Sequence, residues 1–393
     1  MTEGPYKLPE GWRWARLVEV CQHRTGIWGP EASDPAQGFP IVRSTEIDGF
    51  LIRPQTASVR AVRPGQVDAY KLETGDILVN KSSGSPHLVG WPAIFEDPQD
   101  GRTYLFSNFM LRLRLDQHSL EPWFLLYYLH SPIARSIYLG AQDTTSGLRN
   151  LRVQEFMAQP IPLPPLEEQR RIVARIEELM DRVREARRLR QEAQKDAERL
   201  WQSVLAQTFP RPGSELPEGW RWVRLGEVFR LRNGKFIRGG DLSTGGGVPV
   251  YGANGLLGFT ATPLLTQGKT IVIGRVGACG AINVVEAPCW ISDNAMFVSQ
   301  WYTDCDIDYI ALALRSVDLS TFAKKGAQPS ISQEAVYSAL IPLPPLAEQQ
   351  RIVAHLQAVQ ERLKALKEAQ AATEAELKRL EQAILEKAFR GEL

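Results

Sequence analysis

One unit is written twice in this chain of 393 residues. Residues 8–20 read LPEGWRWARLVEV and residues 216–228 read LPEGWRWVRLGEV, so 11 of 13 positions match at an offset of 208. Residues 161–176 (IPLPPLEEQRRIVARI) and 341–356 (IPLPPLAEQQRIVAHL) match at 12 of 16 positions, at an offset of 180. Solenoid repeats have periods of roughly 20 to 50 residues, which are far shorter. The sequence therefore predicts a duplicated domain, with two near-identical frames around two different inserts.

The later frame segment of each copy predicts a long helix. Between Pro165 and Pro210 lie 44 residues without Pro or Gly, and between Pro345 and Gly391 lie 45 more. Apolar residues recur there at spacings of four and three, which is the heptad pattern of a coiled coil. The first row contains Ile172, Ile176, Leu179, Val183, Ala186, Ala193, Ala197, Leu200 and Val204; the second contains Ile352, Leu356, Val359, Leu363, Leu366, Leu377, Leu380 and Ile384.

Both rows turn polar near the middle. Arg190 interrupts the first, Gln370 and Thr373 interrupt the second, and an offset of 180 maps Gln370 onto Arg190. We expect the two helices, each about 60 Å long at roughly 1.5 Å per residue, to pack antiparallel on each other. Polar residues in the interface would then fix register and direction. The alternative is that each helix packs into a larger bundle.

The inserts predict mixed α/β domains with short strands. Residues 39–43, 75–79 and 109–115 in the first insert, and 248–251, 270–273 and 295–298 in the second, are strand-like runs between turn residues. Residues 121–139 are helix-like and interrupted by Pro132, and residues 308–315 match them. Ser107-Asn-Phe-Met110 is aligned with Asp293-Asn-Ala-Met296, so the inserts are interpreted as distant relatives.

The predicted fold class is α+β: two mixed α/β domains separated by two long antiparallel coiled-coil helices, as a pseudo-two-fold tandem duplication. The predicted segments are residues 1–160, 161–210, 211–340 and 341–393, of which the second and fourth are the helices. A prior of roughly 150 residues per domain agrees with two or three domains.

Charge and cysteine content restrict the function classes. The chain carries 46 Lys and Arg against 45 Asp and Glu, and the four predicted segments are each nearly neutral. A purely electrostatic DNA coat is therefore not expected, whereas a reader of base edges whose partner supplies much of the phosphate contact fits. Four scattered cysteines without a CxxC pair indicate a reducing, cytoplasmic setting. No signal peptide or membrane span is expected.

No catalytic or metal-binding constellation is predicted. Gly268-Lys-Thr270 resembles the end of a phosphate loop, but Leu264 stands where the loop needs glycine. The glycine-rich stretches 252–258 and 274–280 lack the spacing of nucleotide loops and are interpreted as turns between strands. The five histidines form no recognisable triad or zinc motif, so an enzyme in its own right is not expected.

DNA-binding features are better supported. Arg230–Arg238 holds four cations and no acid in nine residues, a composition that suits phosphate and base-edge contacts. Small hydroxyl, amide and cationic side chains lie on predicted loops elsewhere, after a strand or just before the frame resumes, although they are also ordinary turn residues. The candidates are Lys81, Ser82, Ser83, Ser85, His87, Thr144, Thr145, Ser146, Arg149 and Asn150 in the first insert, and Arg230, Arg232, Asn233, Lys235, Arg238, Tyr251, Asn254, Arg275, Gln328 and Ser330 in the second.

Over essentially its whole length the chain resembles the specificity subunits of type I restriction-modification systems. The most specific signals are the paired LPEGW segments at Leu8 and Leu216 and the paired IPLPPL entries at Ile161 and Ile341. The resemblance implies that each insert is a target-recognition domain for one half of a split, asymmetric DNA site. It implies that the helices are a spacer whose length sets the number of unread base pairs.

The resemblance also implies partners. Two modification subunits would carry S-adenosylmethionine and methylate adenine, restriction subunits would use ATP and Mg, and this chain would hold no cofactor itself. The repeated frames would present nearly the same surface to two identical partner chains. Candidate residues for that contact are Trp12, Trp14, Pro164, Leu166, Arg171, Trp220, Trp222, Pro344, Leu346 and Arg351.

Two alternatives stay open at this point. One is the recognition subunit of a related methyltransferase or nuclease system that lacks separate restriction subunits. The other is a coiled-coil scaffold whose two globular domains bind proteins.

Overall fold

The structure is a computed structural model that describes residues 4–85, 87–116, 118–145, 148–324, 326 and 329–393, with Thr144 and Thr145 described by backbone alone. The chain forms two compact units: unit 1 comprises Met1–Leu189 and Ala372–Leu393, and unit 2 comprises Arg190–Ala371. Each long helix thus contributes to both units, whereas the predicted division into four segments gave each helix a segment of its own. That division stays a prediction.

Unit 1 contains a run of short strands. They are β1 (Arg13–Arg16), β2 (Cys21–Thr25), β3 (Phe39–Val42), β4 (Ile47–Asp48), β5 (Leu51–Ile52), β6 (Ser58–Arg60), β7 (Ile77–Asn80), β8 (Ser82–Ser83), β9 (Pro92–Ile94), β10 (Leu105–Phe106), β11 (Met110–Leu115), β12 (Gln142–Thr145), β13 (Leu148–Leu151) and β14 (Pro160–Leu163). The largest sheet has the order β2-β11-β7-β9-β5-β4; smaller sheets are β10-β3-β6, β12-β13-β8 and β1-β14.

Helices accompany these strands in unit 1. They are α1 (Leu17–Val20), α2 (Pro64–Tyr70), α3 (Pro122–His130), α4 (Pro132–Leu139), α5 (Val153–Ala158), the first part of α6 (Leu166–Thr208) and the last part of α10 (Leu346–Arg390). Proline occupies the first position of α2, α3 and α4, where its missing N–H costs no hydrogen bond. The predicted helix with a break at Pro132 is confirmed as α3 and α4.

Unit 2 repeats this plan with fewer elements. Its strands are β15 (Arg221–Arg224), β16 (Phe229–Asn233), β17 (Val248–Gly252), β18 (Gly255–Thr260), β19 (Lys269–Gly274), β20 (Ile282–Glu286), β21 (Trp290–Ile291), β22 (Ala295–Trp301) and β23 (Leu340–Leu343). Its helices are the last part of α6, α7 (Leu225–Val228), α8 (Ile307–Ser316), α9 (Gln333–Ser338) and the first part of α10 (Leu346–Arg390). The sheets are β16-β22-β19-β20, β18-β17-β21 and β15-β23. Both glycine-rich stretches connect strands, as predicted.

In each unit the two frame segments pair with each other. β1 and β14 form an antiparallel ladder with Arg13 opposite Leu163, and β15 and β23 form the same ladder with Arg221 opposite Leu343. The Pro-Leu-Pro-Pro runs favour extended backbone, so they supply the second strand before each long helix begins. The repeated sequence therefore forms the same two-stranded sheet in both units, and this sheet joins the two ends of each insert.

A repeated glutamine locks the start of each long helix. Gln169 and Gln349 are buried, and each accepts a hydrogen bond of 2.8 Å from the N-cap N–H of the insert helix, α3 or α8. Their amide groups donate to the carbonyls of Pro164 and Pro344 at 2.9 and 2.8 Å. Burying these amides is tolerated because their polar atoms are paired.

The two long helices pack antiparallel within unit 1. Apolar residues from the first half of α6 and the last part of α10 share one core, which includes Val183, Leu377 and Ile384. At the edge of this interface the Arg187 guanidinium binds the Glu381 carboxylate with two bonds of 2.6 and 2.9 Å. The predicted pairing of the helices is confirmed.

The polar layer of the two rows is also a contact within unit 2. An Arg190 Nη2 group donates to the backbone carbonyl of Gln370, whose side chain is buried. The heptad rows were wrong at three positions, because Leu200, Leu366 and Leu380 are 52%, 43% and 49% exposed. The periodicity identifies an apolar stripe on each helix. A single partner helix buries only part of that stripe, so some of its leucines stay exposed.

Among the described residues, no helix is long and apolar enough to span a membrane.

Candidate nucleic-acid interface

A tight turn before one central strand organises both units. We call it the serine turn: residues 107–109 before β11 in unit 1, and residues 292–294 before β22 in unit 2. It begins with a buried serine, Ser107 or Ser292, whose N–H donates to the carbonyl of Val42 (2.8 Å) or Tyr251 (2.9 Å). The turns are thus 185 residues apart. The sequence alignment with Asp293 was wrong by one residue, because it followed shared side chains instead of backbone contacts.

Lys81 and Arg275 occupy the same place beside the serine turn. Their N–H groups donate to the carbonyl of its last residue, at 2.8 Å in unit 1 and 2.9 Å in unit 2. Their own carbonyls accept from Leu151 (2.8 Å) and Ile331 (2.9 Å), which are equivalent at an offset of 180. Partial burial lowers the pKa of the Lys81 ammonium group. Two candidates chosen separately from the sequence are therefore one structural position.

In unit 1 a small sheet brings most of the candidates together. Ser82 and Ser83 form β8 and lie opposite Asn150 and Arg149 of β13, and the Ser82 hydroxyl donates to the Asn150 amide oxygen at 2.6 Å. The hairpin partner β12 places the backbone of Thr144 opposite Arg149. Residues more than 60 positions apart in sequence thus form one polar surface.

The remaining unit 1 candidates lie around this sheet. The Ser85 N–H donates to the Ser83 hydroxyl at 3.1 Å, which closes the turn after β8, and His87 is exposed beyond it. The backbone of Thr145 continues β12 and pairs with Leu148. Ser146 lies outside the described residues.

In unit 2 the equivalent of Asn150 is Ser330. It forms isolated bridges to Val276 and to Lys324, and the Pro329 carbonyl accepts from the Gly277 N–H at 3.2 Å. Ser330 therefore lies beside the Arg275 position, although it forms no regular strand. Gln328 lies outside the described residues.

The cation-rich segment of unit 2 extends along β16 away from the serine turn. Arg232, Asn233 and Lys235 line a cleft of about 510 Å³, and the Asn233 side chain accepts from Gln333 at 3.0 Å. Arg230 lies opposite Gln300, five residues along β22 from its start. At roughly 3.3 Å per residue this is about 17 Å from the serine turn, so Arg230 is farther from the turn than Arg232.

The last candidates of unit 2 lie on other loops around the same turn. Tyr251 of β17 contacts the turn through its carbonyl, and Asn254 is exposed in the hairpin between β17 and β18. Arg238 lines a second cleft of about 520 Å³ together with Phe236 and Trp290. The Arg275 guanidinium donates to the Asp293 carbonyl at 3.2 Å, so it is held against the turn.

The frame candidates for partner contact are paired in the structure as they are in the sequence. Arg171 forms two bonds with Glu168 (2.8 and 2.7 Å), and Arg351 forms the same pair with Glu348 (2.8 and 2.6 Å). Five of the rest are partly buried, Leu346 is 36% exposed, and two prolines are buried; the eight are Trp12, Trp14, Leu166, Trp220, Trp222, Leu346, Pro164 and Pro344. Trp12 and Trp220 each pack against the core of their own unit.

The serine turns and their surrounding loops can make polar contacts to a large anionic ligand. Cations, hydroxyls and side-chain amides converge there, and those groups bond both phosphates and base edges. Within the described part of the chain, no group of three or more His, Cys, Asp or Glu side chains is placed to hold a metal ion.

Sequence reasoning missed Trp28, which is 40% exposed in unit 1. The guanidinium carbon of Arg60 lies 4.6 Å from its ring centroid and that of Arg43 lies 5.9 Å away. The sequence around Trp28 contains no run of charged residues, so no local pattern indicated a binding loop there. The duplication could have found it, because adding 208 to 28 gives the exposed Phe236.

Comparison with protein families agrees with this geometry. The sequence profile of one family, described as type I restriction modification DNA specificity domain, matches residues 9–194 and 217–376. These two stretches contain both inserts and most of both long helices.

Known relatives match the chain over nearly its full length. One solved structure concerns the structural basis underlying complex assembly and conformational transition of the type I R-M system. This chain is 34% identical to a chain of that structure, with a TM-score of 0.76, and the match covers 99% of this chain and 100% of that one. It is 36% identical, with a TM-score of 0.61 and full coverage of both chains, to the HsdS subunit of Thermoanaerobacter tengcongensis. It is 24% identical to the putative type I restriction enzyme MjaX specificity subunit of Methanocaldococcus jannaschii, over 97% of this chain and 92% of that protein.

Proposed function

The chain belongs to the family of type I restriction modification DNA specificity domains, and we propose that each of its two units reads one half of a bipartite, asymmetric DNA site. The chain is the DNA sequence-specificity subunit of a type I restriction-modification system. One observation carries the proposal for two readers: the same serine turn, with a cation fixed beside it, occurs once in each unit.

The sequence difference between the units supports an asymmetric site. The frames are nearly identical, whereas the side chains around the two serine turns differ: Ser82 and Asn150 in unit 1 correspond to Val276 and Ser330 in unit 2. Base-edge recognition depends on the donors and acceptors that reach the groove. Two unlike sets on one scaffold would therefore select two unlike half-sites.

We assign direct DNA contact to the candidates that surround the serine turns. Lys81 and Arg275 would contact phosphates near the turn, because a fixed cation orients the protein without selecting a base. Asn150, Asn254 and the neighbouring hydroxyls would contact base edges. Arg230 would bind the backbone farther along the duplex, in keeping with its distance from the turn.

The repeated frames support a complex with two copies of one partner. Identical patches on both units, such as the Arg171–Glu168 and Arg351–Glu348 pairs, would dock two modification subunits. Those subunits would bind S-adenosylmethionine and methylate adenine, and restriction subunits would use ATP and Mg. This chain would act by recognition without a catalytic step of its own, in the cytoplasm of a bacterium or archaeon.

The proposal is tested with the chain assembled with its modification subunits. Long-read sequencing of host DNA maps methylated adenines, and duplexes retained from a random pool in a gel shift give the bound sequence independently. We expect one motif with two specified parts and an unspecified gap. A complex that methylates or retains DNA without sequence selection would refute the assignment of reading to these units.

A further inference from the structure

Trp28 and Phe236 are exposed aromatic residues at equivalent positions of units 1 and 2. The offset between the first frame segments, 208, maps one onto the other. Trp28 is 40% exposed and Phe236 is 70% exposed. A single exposed aromatic residue is common on protein surfaces. Two at one position of a duplicated fold, in inserts that otherwise differ, indicate a shared role.

Both aromatic residues are held against the serine turn by the same backbone contacts. The preceding residue, Ile27 or Lys235, donates its N–H to the carbonyl just before the turn, at 2.9 Å in both units. The glycine before that, Gly26 or Gly234, donates to the carbonyl just after the turn, at 3.2 and 2.9 Å. The aromatic side chain therefore leaves the backbone at a fixed point beside the turn.

The close approach of this loop requires glycine. A Cβ atom added to Gly26 would lie 2.2 Å from the Phe106 carbonyl oxygen, and one added to Gly234 would lie 2.1 Å from that of Ser292. Contacts below about 3 Å to backbone atoms are not tolerated. The two units thus use the same sterically demanding loop to present an aromatic ring, which is unexpected if the ring only covers local surface.

Cations lie near each ring. Arg60 and Arg43 lie over Trp28, and Arg43 is also anchored by a 3.3 Å contact with the buried Glu46 carboxylate. In unit 2, Phe236 shares one cleft with Arg238 and with the acidic Asp241, and Lys235 precedes the ring. Cations that attract phosphates beside an apolar surface are the combination that proteins use to place an aromatic or aliphatic side chain against bases.

We propose that Trp28 and Phe236 contact bases of the target DNA directly, each within the half-site that its own unit reads. This inference rests on the proposed function, because it assumes that the serine turns face DNA. The rings would contribute apolar contact to a thymine methyl group or to a base step, alongside the polar readout by their neighbours. They are thus further specificity-determining residues for recognition.

The test uses the chain assembled with its modification subunits and a pool of duplexes of random sequence. Bound duplexes are sequenced, and affinity is measured on the duplex that the wild-type complex selects. We expect Trp28→Ala and Phe236→Ala to weaken binding by about 10- to 100-fold, the range of a lost base contact. Each variant should relax base preference in one half-site only, and the two should affect different halves.

Conservative exchanges separate base contact from a structural role. Trp28→Phe and Phe236→Trp install the ring that the other unit carries, so most affinity and selectivity should return. Trp28→Leu keeps apolar volume without the ring and replaces Trp28→Ala if that variant does not fold, as judged by its melting curve. Tyr302→Ala removes a side chain that is 53% exposed just beyond the end of β22 that is far from the serine turn, and it should bind as wild type.

The possible outcomes are distinct. If the Trp28 and Phe236 variants fold, bind and select as wild type does, the proposal fails. A uniform loss of affinity with unchanged base preference also overturns it, because a base contact must affect selection at its own position. If the wild-type complex itself selects no sequence, the proposed function fails first.

Discussion

Lys81 and Arg275 show how a duplicated scaffold keeps a cation at one structural position while its surroundings change. Both are fixed by a hydrogen bond to the serine turn and by a second one to Leu151 or Ile331, near the end of each insert. The ammonium group of Lys81 is partly buried in the free protein, and this burial lowers its pKa. A nearby phosphate would favour the charged form and offset that cost.

Replacing Lys81 or Arg275 with alanine should weaken the binding of all duplexes alike. Each lost phosphate contact should lower the slope of log affinity against log salt by about 1, and the double variant should lower it by about 2. Affinities measured at several salt concentrations check this. Arg53→Ala removes an exposed arginine near Asp48 (3.8 Å) and should leave the slope unchanged; unaltered slopes in the two test variants would place these cations off the DNA backbone.

His130 is a fully buried histidine between β9 and the aromatic residues around it. Its Nε2 atom lies 3.0 Å from the Pro92 carbonyl oxygen, and its ring meets Phe50 and Trp91 edge-on at 4.5 and 4.8 Å. Burial lowers its pKa to about 3. The imidazole is therefore neutral in the folded protein at every pH above that value.

This shift predicts an acid-sensitive unit 1. Below the ordinary pKa of about 6.5 the unfolded chain binds a proton that the folded chain excludes, so stability present above pH 6.5 is lost as pH falls toward 3. The loss should approach about 1.4 kcal/mol per pH unit. Urea unfolding of wild type and His130→Gln at pH 7, 6, 5 and 4 checks the slope, which should be shallower in the variant. Parallel slopes would show that other groups cause the sensitivity.

At the scale of elements, the ion pair between α6 and α10 in unit 1 is placed to select their pairing. Arg187 binds Glu381 with two bonds and reaches Glu374 at 3.2 Å, and the pair is 31% and 24% exposed. Partial burial reduces screening by water, and a two-bond geometry restricts the guanidinium. This contact joins residues almost 200 positions apart, unlike the many pairs within a single helix.

A double-mutant cycle should measure that contribution. Arg187→Met, Glu381→Gln and the combined variant should give a coupling of about 1 kcal/mol, near the upper end for pairs of this exposure. The Arg175–Glu178 pair within α6 is 44% and 47% exposed and provides the matched control, with about 0.3 kcal/mol expected. Urea unfolding of all variants gives both values, and equal couplings would remove any special role for the interhelical pair.

Long helices and insert strands were predictable because each has a local signal. Proline and glycine bound the helices, and period-two or apolar runs mark the strands. The exposure of Leu200 and Leu380 was not predictable, because a heptad pattern does not indicate how many of its apolar residues the partner helix buries. Likewise β8 and its pairing with β13 were not predictable, because a strand of two residues is too short to show alternating hydrophobicity.

The candidate site was predictable as a set of residue types, and its organisation was not. Lys81 and Arg275 were chosen for charge, but their equivalence depends on backbone bonds to a turn that the alignment misplaced by one residue. Arg230 belonged to the most cationic stretch, yet strand geometry carries it away from the turn. Trp28 had no local signal, and within the sequence only the offset of 208 residues relates it to Phe236.

At the scale of the whole molecule, repetition separates what is constant from what varies. Frame contacts recur with nearly equal distances in the two units, such as the glutamine bonds at the start of α6 and α10. Side chains around the serine turns differ. A change in an insert can therefore alter base preference while the frame contacts stay the same.

The same separation predicts that the helices set spacing without setting sequence preference. Deleting residues 191–197 of α6 and 363–369 of α10 removes one heptad from each helix on the unit 2 side of the Arg190–Gln370 contact, and it keeps both of those residues. Seven residues at roughly 1.5 Å each correspond to about 10 Å, or about three base pairs. Methylation mapping should then show the same two half-sites with a gap about three base pairs shorter.

Deleting four residues from each helix would instead rotate the apolar rows off register and should abolish selection. A heptad deletion that changed the bases read but kept the gap would show that the helices do not act as the spacer.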